Sequence, residues 1–265
     1  MVDLSKKIST VVGRTNAEYG LIKEGDRILV GFSGGKDSLT LIHTLNRLKK
    51  VVPYNFEFKA VTITYGMGEY VEFLSKHCAE HGIEHEIVDT QIFELAGEKI
   101  RKNSSFCSFF SRMRRGYLYS TAQEQGYNKV ALGHHLDDAM ESFFMNFFYN
   151  GTMRTMPPKY TAENGLEVIR PLIFCRERQL RAFADSNEIK VIGDEACPGL
   201  RFDVKMPHAR ATTKELLAKL EEENPKIFIS MKSAFSNIQL GTFFYKDLEE
   251  VKNNVEEEEN IIWKY

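Results

Sequence analysis

The residues with the clearest chemical potential lie close together near the N-terminus, in the stretch Ser33-Gly34-Gly35-Lys36-Asp37-Ser38. An apolar run over 27–32 precedes them, and a helix is predicted to begin near Leu39. Glycines allow backbone N–H groups to close around an anion, and a helix N-terminus contributes partial positive charge at the same place. Lys36 adds a full positive charge. The stretch therefore predicts a loop that binds phosphate.

Two widespread phosphate-binding loops do not match this stretch. The P-loop requires Gly-x-x-x-x-Gly-Lys-Ser/Thr, whereas only three residues separate Gly31 from Gly35, and Asp37 occupies the position of the magnesium-binding hydroxyl. The dinucleotide-binding pattern Gly-x-Gly-x-x-Gly does not match either. A glycine turn without a ligand is the weaker interpretation, because two adjacent glycines beside a lysine and an aspartate are poor choices for a simple turn.

A second polar stretch, Gly133-His134-His135-Leu136-Asp137-Asp138, follows the apolar run 129–133. The adjacent carboxylates of Asp137 and Asp138 could hold a magnesium ion that bridges phosphate groups. Alternatively, one of the two caps the helix that follows while the other is solvated. Both interpretations stay open on local grounds.

The elements that must position these stretches alternate between strand and helix. We predict strands at 26–32, 56–64, 83–89, 129–133 and 189–193. We predict helices at 3–19, directly after the first loop, and at 69–80, 112–125, 137–149, 176–187, 212–223 and in parts of 225–240. Residues 150–169 are predicted to be irregular. This alternation predicts an α/β protein with a doubly wound, five-stranded parallel sheet. Because ligands bind at the carboxyl ends of such strands, both polar stretches are expected to meet in one crevice.

Composition predicts one catalytic domain over 1–240, decorated by a helix over 1–20 and followed by an acidic tail over 241–265. That tail holds three lysines against seven carboxylates, so the rest of the chain is mildly basic although the net charge is -2. Neither a signal peptide nor a membrane-spanning run is visible, which predicts a cytoplasmic protein without a membrane partner. Four widely spaced cysteines predict free thiols rather than a disulfide framework.

The histidines and the aromatic residues raise two further possibilities. His77, Cys78, His81 and His85 invite a zinc site, but Gly82 should end their helix, so we expect these side chains not to converge. The aromatic run over 143–149 has helical spacing and is predicted to be core.

The first loop, as it stands, matches the Ser-Gly-Gly-Lys-Asp-Ser signature of the PP-loop ATP pyrophosphatases. Further motifs resemble the tRNA 2-thiocytidine biosynthesis proteins (TtcA type) in type and order: 107–116, 131–138, 156–159, 170–172 and 175–177. The resemblance implies the adenine nucleotide α-hydrolase fold, the cofactors ATP and Mg²⁺, and ATP-dependent 2-thiolation of a tRNA cytidine. The ATP-binding residues that it implies are Ser33, Gly34, Gly35, Lys36, Asp37, Ser38, Gly133, His134 and Asp138.

In the implied mechanism, AMP is transferred to the carbonyl oxygen of a pyrimidine, and sulfur then displaces it. Lys36 and Asp37 would act on the phosphates, with magnesium at Asp137 and Asp138, and Cys107 and Cys197 would handle sulfur supplied by a protein such as a cysteine desulfurase. A homodimer is also conceivable. The family's iron–sulfur cluster uses a Cys-x-x-Cys pair plus a later cysteine, but Phe110 replaces the second cysteine of the pair.

That replacement leaves three interpretations open: a persulfide relay through Cys107 and Cys197 without a cluster, a two-cysteine or substituted cluster, or divergence to another substrate or loss of thiolation. Two rival functions also remain, namely an amidating or lysine-ligating PP-loop enzyme and a nucleotide-binding protein that has lost catalysis.

A basic segment could bind the RNA. Arg112, Arg114 and Arg115 lie beside tyrosines at a helix start, a combination that suits phosphates and unstacked bases, although a solvated basic helix face is about as plausible. Lys159, Arg154 and Arg210 could extend this surface.

Overall fold

The computed structural model describes residues 2–99, 106–193, 208–239 and 242. Its strands are β1 (Arg27–Gly31), β2 (Glu57–Ile63), β3 (His85–Val88), β4 (Lys129–Ala131), β5 (Lys159–Thr161) and β6 (Glu167–Ile169). Its helices are α1 (Lys6–Tyr19), α2 (Lys36–Val51), α3 (Glu72–Glu80), α4 (Ile92–Lys99), α5 (Phe106–Glu124), α6 (Leu136–Tyr149), α7 (Glu177–Ser186), α8 (His208–Glu223) and α9 (Ile227–Phe235).

The strands form one mixed sheet in the order β3-β2-β1-β4-β6-β5. Five of them pair in parallel, and β5 alone joins antiparallel, at the edge next to β6. The predicted α/β class and the five-stranded parallel core are therefore confirmed, and the sixth, antiparallel strand is an addition to them.

One predicted strand is wrong. Residues 189–193 form no strand, and the fifth parallel strand is β6, which pairs with β5 inside the stretch predicted to be irregular. Strands of three residues are too short to show a clear alternation of apolar and polar positions. Ile189 and Ile192 are apolar for another reason, because they pack as a loop against the core.

Helices cover both faces of the sheet. On one face, α1, α2, α3 and α7 enclose a core cluster that includes Leu41, Leu74 and Phe183. On the other face, α4 and α5 enclose a second cluster around Phe110 and Leu118. This double layer buries the strands on both sides, as their nearly continuous apolar sequences require.

The aromatic run in α6 is only partly core. Phe144 packs against the small cluster that α6 forms with α8 and α9, whereas Phe147, Phe148 and Tyr149 are 47%, 50% and 56% exposed. The prediction of a fully buried run is therefore wrong at its C-terminal end. No helix in the described part of the chain is long and apolar enough to cross a bilayer.

Candidate active site

The loop between β1 and α2 has a conformation that depends on its glycines. Gly34 has a φ of 77°, and its carbonyl accepts a hydrogen bond of 2.8 Å from the N–H of Ile192. A Cβ at Gly34 would lie 2.7 Å from Cδ1 of Ile192, so a larger residue would be both strained and crowded. Gly35 precedes α2 and offers no side chain to cap it. The N–H groups of the first helical turn are therefore positioned for an anionic ligand.

Two serines close this loop on itself. The Ser38 hydroxyl donates to the Gly35 carbonyl at 3.0 Å and lies 3.2 Å from the Ser33 hydroxyl. These contacts fix the backbone that would surround a phosphate.

The loop after β4 meets the first loop, as predicted. A Cβ added to Gly133 would lie 3.2 Å from both the Asp37 carbonyl carbon and the Ser38 nitrogen. Only glycine therefore lets the two backbones approach so closely. His135 ends this second loop by capping α6. Its Nδ1 accepts a hydrogen bond from the backbone N–H of Asp138, and its backbone N–H donates to the Asp138 carboxylate.

The two adjacent aspartates of the second loop diverge. Asp137 accepts hydrogen bonds from the Arg176 guanidinium at 3.0–3.2 Å and from the Glu177 N–H at 2.7 Å. Asp138 accepts from Arg210 at 2.9 Å and lines the crevice. The expectation that Asp137 and Asp138 together face one magnesium ion does not suit this arrangement, because Arg176 already neutralises the Asp137 carboxylate.

The Asp37 carboxylate is only partly compensated by its neighbours. Its Oδ1 is buried and has no hydrogen-bond partner. Burial raises the pKa of the carboxyl, although the nearby His135 and Lys36 act in the opposite direction. A buried carboxylate oxygen without a partner is costly unless a cation satisfies it. Asp37 therefore fits one position in the oxygen-rich coordination of Mg²⁺.

Lys36 is held by the carboxylate of Glu177, which is not among the residues predicted for the site. Its Nζ lies 3.1 Å from Glu177 and 3.4 Å from Asp37. Burial opposes protonation of Lys36, but these two acidic neighbours outweigh it and raise its pKa. Burial also opposes ionisation of Glu177, but hydrogen bonds from Lys214 and Lys36 lower its pKa to about 2. The only sequence signal for Glu177 is its place in the 175–177 motif.

Two cavities flank the loops at the carboxyl ends of the strands. The first, about 660 Å³, contains Lys36 and extends along residues 62–71 to Ile192. The second, about 540 Å³, contains Gly133, His134 and Asp138. Both volumes fall in the range of small-molecule sites. The cavities share the lining residues Ser33, Asp37, Ile63, Tyr65 and Arg114, so they adjoin one another.

Five arginines line the second cavity: Arg114, Arg115, Arg154, Arg170 and Arg210. Arg114 donates to the Tyr65 hydroxyl at 2.8 Å and lies over its ring. Two residues predicted to bind RNA lie elsewhere: Arg112 is exposed on α5 and Lys159 begins the edge strand β5, and neither lines these two cavities.

His134 is uncharged at neutral pH. Burial and the positive charge of Arg170 lower its pKa to about 4. Its Nδ1 accepts a hydrogen bond of 3.3 Å from Nε of Arg170.

The cysteine motif has an unusual member. Cys107 lies in the first turn of α5, one turn before Ser111, which lines the second cavity; the Cys107 side chain and all of Cys197 lie outside the described part of the structure. Phe110 is 3% exposed and packs edge-on against Tyr65 at 5.5 Å between ring centres. Position 110 is therefore a core position in this chain.

The other two cysteines do not replace the missing thiol. Cys78 and Cys175 are buried and free, in the core cluster on the opposite face of the sheet from Phe110. Burial raises the pKa of each thiol to about 12. The thiolate form needed for iron ligation is therefore disfavoured at both positions. Within the described part of the chain, neither buried thiol therefore supplies an iron ligand in place of Phe110.

The chain is similar to known proteins over most of its length. The family described as the PP-loop domain matches residues 3–205. A tRNA-cytidine(32) 2-sulfurtransferase from Geobacter metallireducens is 41% identical over 93% of this chain and 95% of its own length. Its counterpart from Geobacter sulfurreducens is 42% identical over 88% of this chain and 90% of its own length.

Among solved structures, the U34-tRNA thiolase NcsA from Methanococcus maripaludis with its [4Fe-4S] cluster has a similar fold. The TM-score is 0.69 at 24% identity, and the match covers 88% of this chain and 77% of that one. From the match over 3–205 and the identity to the curated relatives, the chain belongs to the PP-loop domain family, in the group whose members carry the name tRNA-cytidine(32) 2-sulfurtransferase.

Proposed function

We propose that this chain is an ATP-dependent tRNA sulfurtransferase that replaces O2 of a cytidine, at position 32 as in the names of its relatives, with sulfur. One observation carries the proposal. A phosphate-binding loop and an arginine-lined cavity adjoin each other, beside helix α5, whose first turn contains Cys107. Such a crevice offers a place for ATP and a place for a nucleotide of the RNA, with a thiol within the same region.

ATP would be held by the two loops that meet at the strand ends. Backbone N–H groups at the start of α2 and the Lys36 ammonium would bind the phosphates. The set proposed to surround the nucleotide is Ser33, Gly34, Gly35, Lys36, Asp37, Ser38, Gly133, His134 and Asp138. Since ATP carries more negative charge than Glu177, we expect the phosphates to compete with that carboxylate for Lys36.

Magnesium fits at Asp37, whose buried Oδ1 has no hydrogen-bond partner and lies 3.8 Å from Nε2 of His135, with Asp138 as the second carboxylate of the crevice. When bound, Mg²⁺ would neutralise the charge that builds on the departing pyrophosphate. Asp137 is left out of this proposal because its carboxylate is bound by both Arg176 and the Glu177 N–H and lines neither of the two cavities, whereas Asp138 lines the second one.

The reaction proceeds in two displacements. Cytidine O2 attacks the α-phosphorus of ATP, and the bond to pyrophosphate breaks. Lys36 and the helix amides stabilise the charge that develops on the phosphate oxygens. Sulfur then attacks C2, and AMP leaves with the former O2.

We propose that this sulfur arrives as a persulfide on Cys107, loaded by a sulfur-donor protein such as a cysteine desulfurase. The terminal sulfur attacks C2, the Cys197 thiolate attacks the inner sulfur, and the S–S bond of the persulfide breaks to leave the thiolated base. The product pair is a Cys107–Cys197 disulfide, which a dithiol reductant returns to two thiols. No step is assigned to an iron–sulfur cluster, because the buried Phe110 occupies the position of the second cysteine in the Cys-x-x-Cys pair.

The RNA would reach the crevice across the arginine-lined cavity. Arg114 and Arg115 are the predicted RNA-binding residues that line it, and Arg112 and Lys159 would extend the contact outward. The partner is therefore tRNA. Three points stay predictions: the cytoplasmic location, the homodimer, and the division into a catalytic domain over 1–240 and an acidic tail over 241–265.

A direct test follows AMP formation by the purified protein with ATP, Mg²⁺ and tRNA lacking thiolated bases. We expect AMP and pyrophosphate to form only when tRNA is present, and Cys107→Ser to keep this adenylation while losing 2-thiocytidine. AMP formation without tRNA, on ammonia or a free amino acid, would instead favour an amidating or ligating enzyme. Thiolation that persists in Cys107→Ser would contradict the persulfide relay.

A further inference from the structure

Three histidines of helices α2 and α3 converge, and two of them belong to the sequence motif that first suggested a metal. They are His43 in α2 and His77 and His81 in α3, and one ring nitrogen of each lies within 4.8 Å of the others. None of the three lines either of the two cavities described above. We propose that these imidazoles form a binding site for a divalent transition-metal ion, with zinc as the expected occupant, separate from the ATP crevice.

The spacing of the rings suits coordination after a small adjustment. Nε2 of His43 lies 2.8 Å from Nε2 of His77. Two imidazole nitrogens at 2.0–2.1 Å from a tetrahedral zinc ion lie about 3.4 Å apart. The pair therefore needs to separate by roughly half an ångström, which small rotations of two side chains can supply.

His81 already has the orientation of a metal ligand. Its Nδ1 lies 2.8 Å from the backbone carbonyl oxygen of His77, which can only accept a hydrogen bond. The proton is therefore on Nδ1, and the Nε2 lone pair is available. Metal-bound histidines commonly donate their second ring N–H to a carbonyl in this way.

The burial of the rings suits an enclosed metal site. His43 is 6% exposed, so its ring is shielded from solvent. The hydrogen bond between Nε2 of His43 and Nε2 of His77 places a proton on one of these two nitrogens, so metal binding requires that ring to carry its proton on Nδ1 instead. His77 and His81 are only half-buried, so an ion can enter from solvent and keep a water as its fourth ligand. Glu80 adds negative charge beside His77. Three imidazoles suit zinc, copper or nickel rather than magnesium.

The residues that first suggested a metal behave differently. Both ring nitrogens of His85 are used, by the hydroxyls of Thr62 and Ser75 at 2.9 Å each. Cys78 is buried in the core. The expectation that the four residues do not converge is therefore wrong for His77 and His81, which meet His43 of the preceding helix, whereas His85 and Cys78 lie outside this group.

A metal here would join the two helices that support the phosphate loop. α2 begins at Lys36, and Leu74 of α3 packs so closely on Gly34 that a Cβ there would lie 3.0 Å from its Cδ1. Zinc at the three histidines would hold α3 against α2 and so support the loop from behind.

The test is a Co²⁺ and Zn²⁺ titration of metal-free protein carrying Cys107→Ser and Cys197→Ser, so that thiolates contribute nothing. We expect one ion per chain and the visible bands of tetrahedral cobalt without sulfur charge-transfer absorption. At free zinc a hundred times the Kd, Tm should rise by roughly 5–10 °C.

In the same background, the double variant His77→Asn/His81→Asn should lose binding and the Tm shift, while His85→Asn, a matched control, should keep both. If the double variant does not fold, His81→Gln alone should weaken binding by more than roughly tenfold, because loss of an outer-shell partner already costs about that much. No bound ion in the parent protein, or unchanged binding in the histidine variants, would overturn the proposal. Tight binding lost only with His85→Asn would overturn it as well. Retained ATP- and tRNA-dependent AMP formation in the double variant would leave the proposed adenylation step standing whether or not metal binds, because that step is assigned to neither the histidines nor the cysteines.

Discussion

The backbone at Gly34 offers the sharpest quantitative prediction about the phosphate loop. Gly34→Ala forces an L-residue into φ of 77° and places a Cβ 2.7 Å from Ile192 Cδ1 and 3.0 Å from Leu74 Cδ1. The left-handed conformation costs about 1–2 kcal/mol for a residue with a Cβ. The crowding adds about 1 kcal/mol, at the low end for an overpacked site, because both neighbours are the ends of flexible side chains.

We therefore expect Gly34→Ala to lower the free energy of unfolding by about 2–3 kcal/mol, and Tm by roughly 5–10 °C. Gly35→Ala is the matched control, because Gly35 has a φ of -73° and its nearest contacts to an added Cβ are 3.5 and 3.7 Å. Urea unfolding at pH 7 measures both. Equal stability of the two variants would refute the strained loop conformation on which the phosphate site depends.

Three other substitutions test the site and its surroundings. Asp37→Asn should lower ATP-dependent AMP formation by at least about 100-fold. It should leave the free energy of unfolding at pH 7 unchanged or slightly higher, because burial raises the pKa of Asp37 and the charged carboxylate destabilises the fold. Loss of stability with full activity would contradict this. Glu177→Gln should lower stability at neutral pH by about 1 kcal/mol after screening. Because the pKa of Glu177 is lowered to about 2, the wild-type contribution is complete above about pH 4.5 and disappears as the pH falls through 2, so the two proteins should converge in acid when unfolding is followed against pH. Phe110→Ala should cost about 3–5 kcal/mol, as for a buried core aromatic, and chemical denaturation that finds a cost under about 1 kcal/mol would remove Phe110 from the core.

Much of the fold follows from short-range patterns in the sequence. Both loops were predictable because glycines, a lysine and carboxylates directly follow apolar strands, and parallel topology brings such strand ends together. The hairpin of β5 and β6 was not predictable, because three-residue strands carry little periodic signal. Ile189 and Ile192 show the opposite error, since apolar residues in a loop imitate a strand.

The partners of individual side chains depend on tertiary contacts that no spacing reveals. Asp137 and Asp138 are adjacent, yet Arg176 and Arg210 approach them from different elements. Glu177 reaches Lys36 across a large sequence separation. His43 likewise joins two histidines from another helix, although neighbouring residues in the sequence suggested a different metal set.

The most direct test of the central claim is mass spectrometry of tRNA nucleosides from cells that lack this protein. We expect 2-thiocytidine to disappear, to return with the wild-type chain, and to stay absent with Asp37→Asn or Cys107→Ser. Persistence of 2-thiocytidine at the wild-type level in cells without the protein would contradict its assignment as the tRNA cytidine sulfurtransferase.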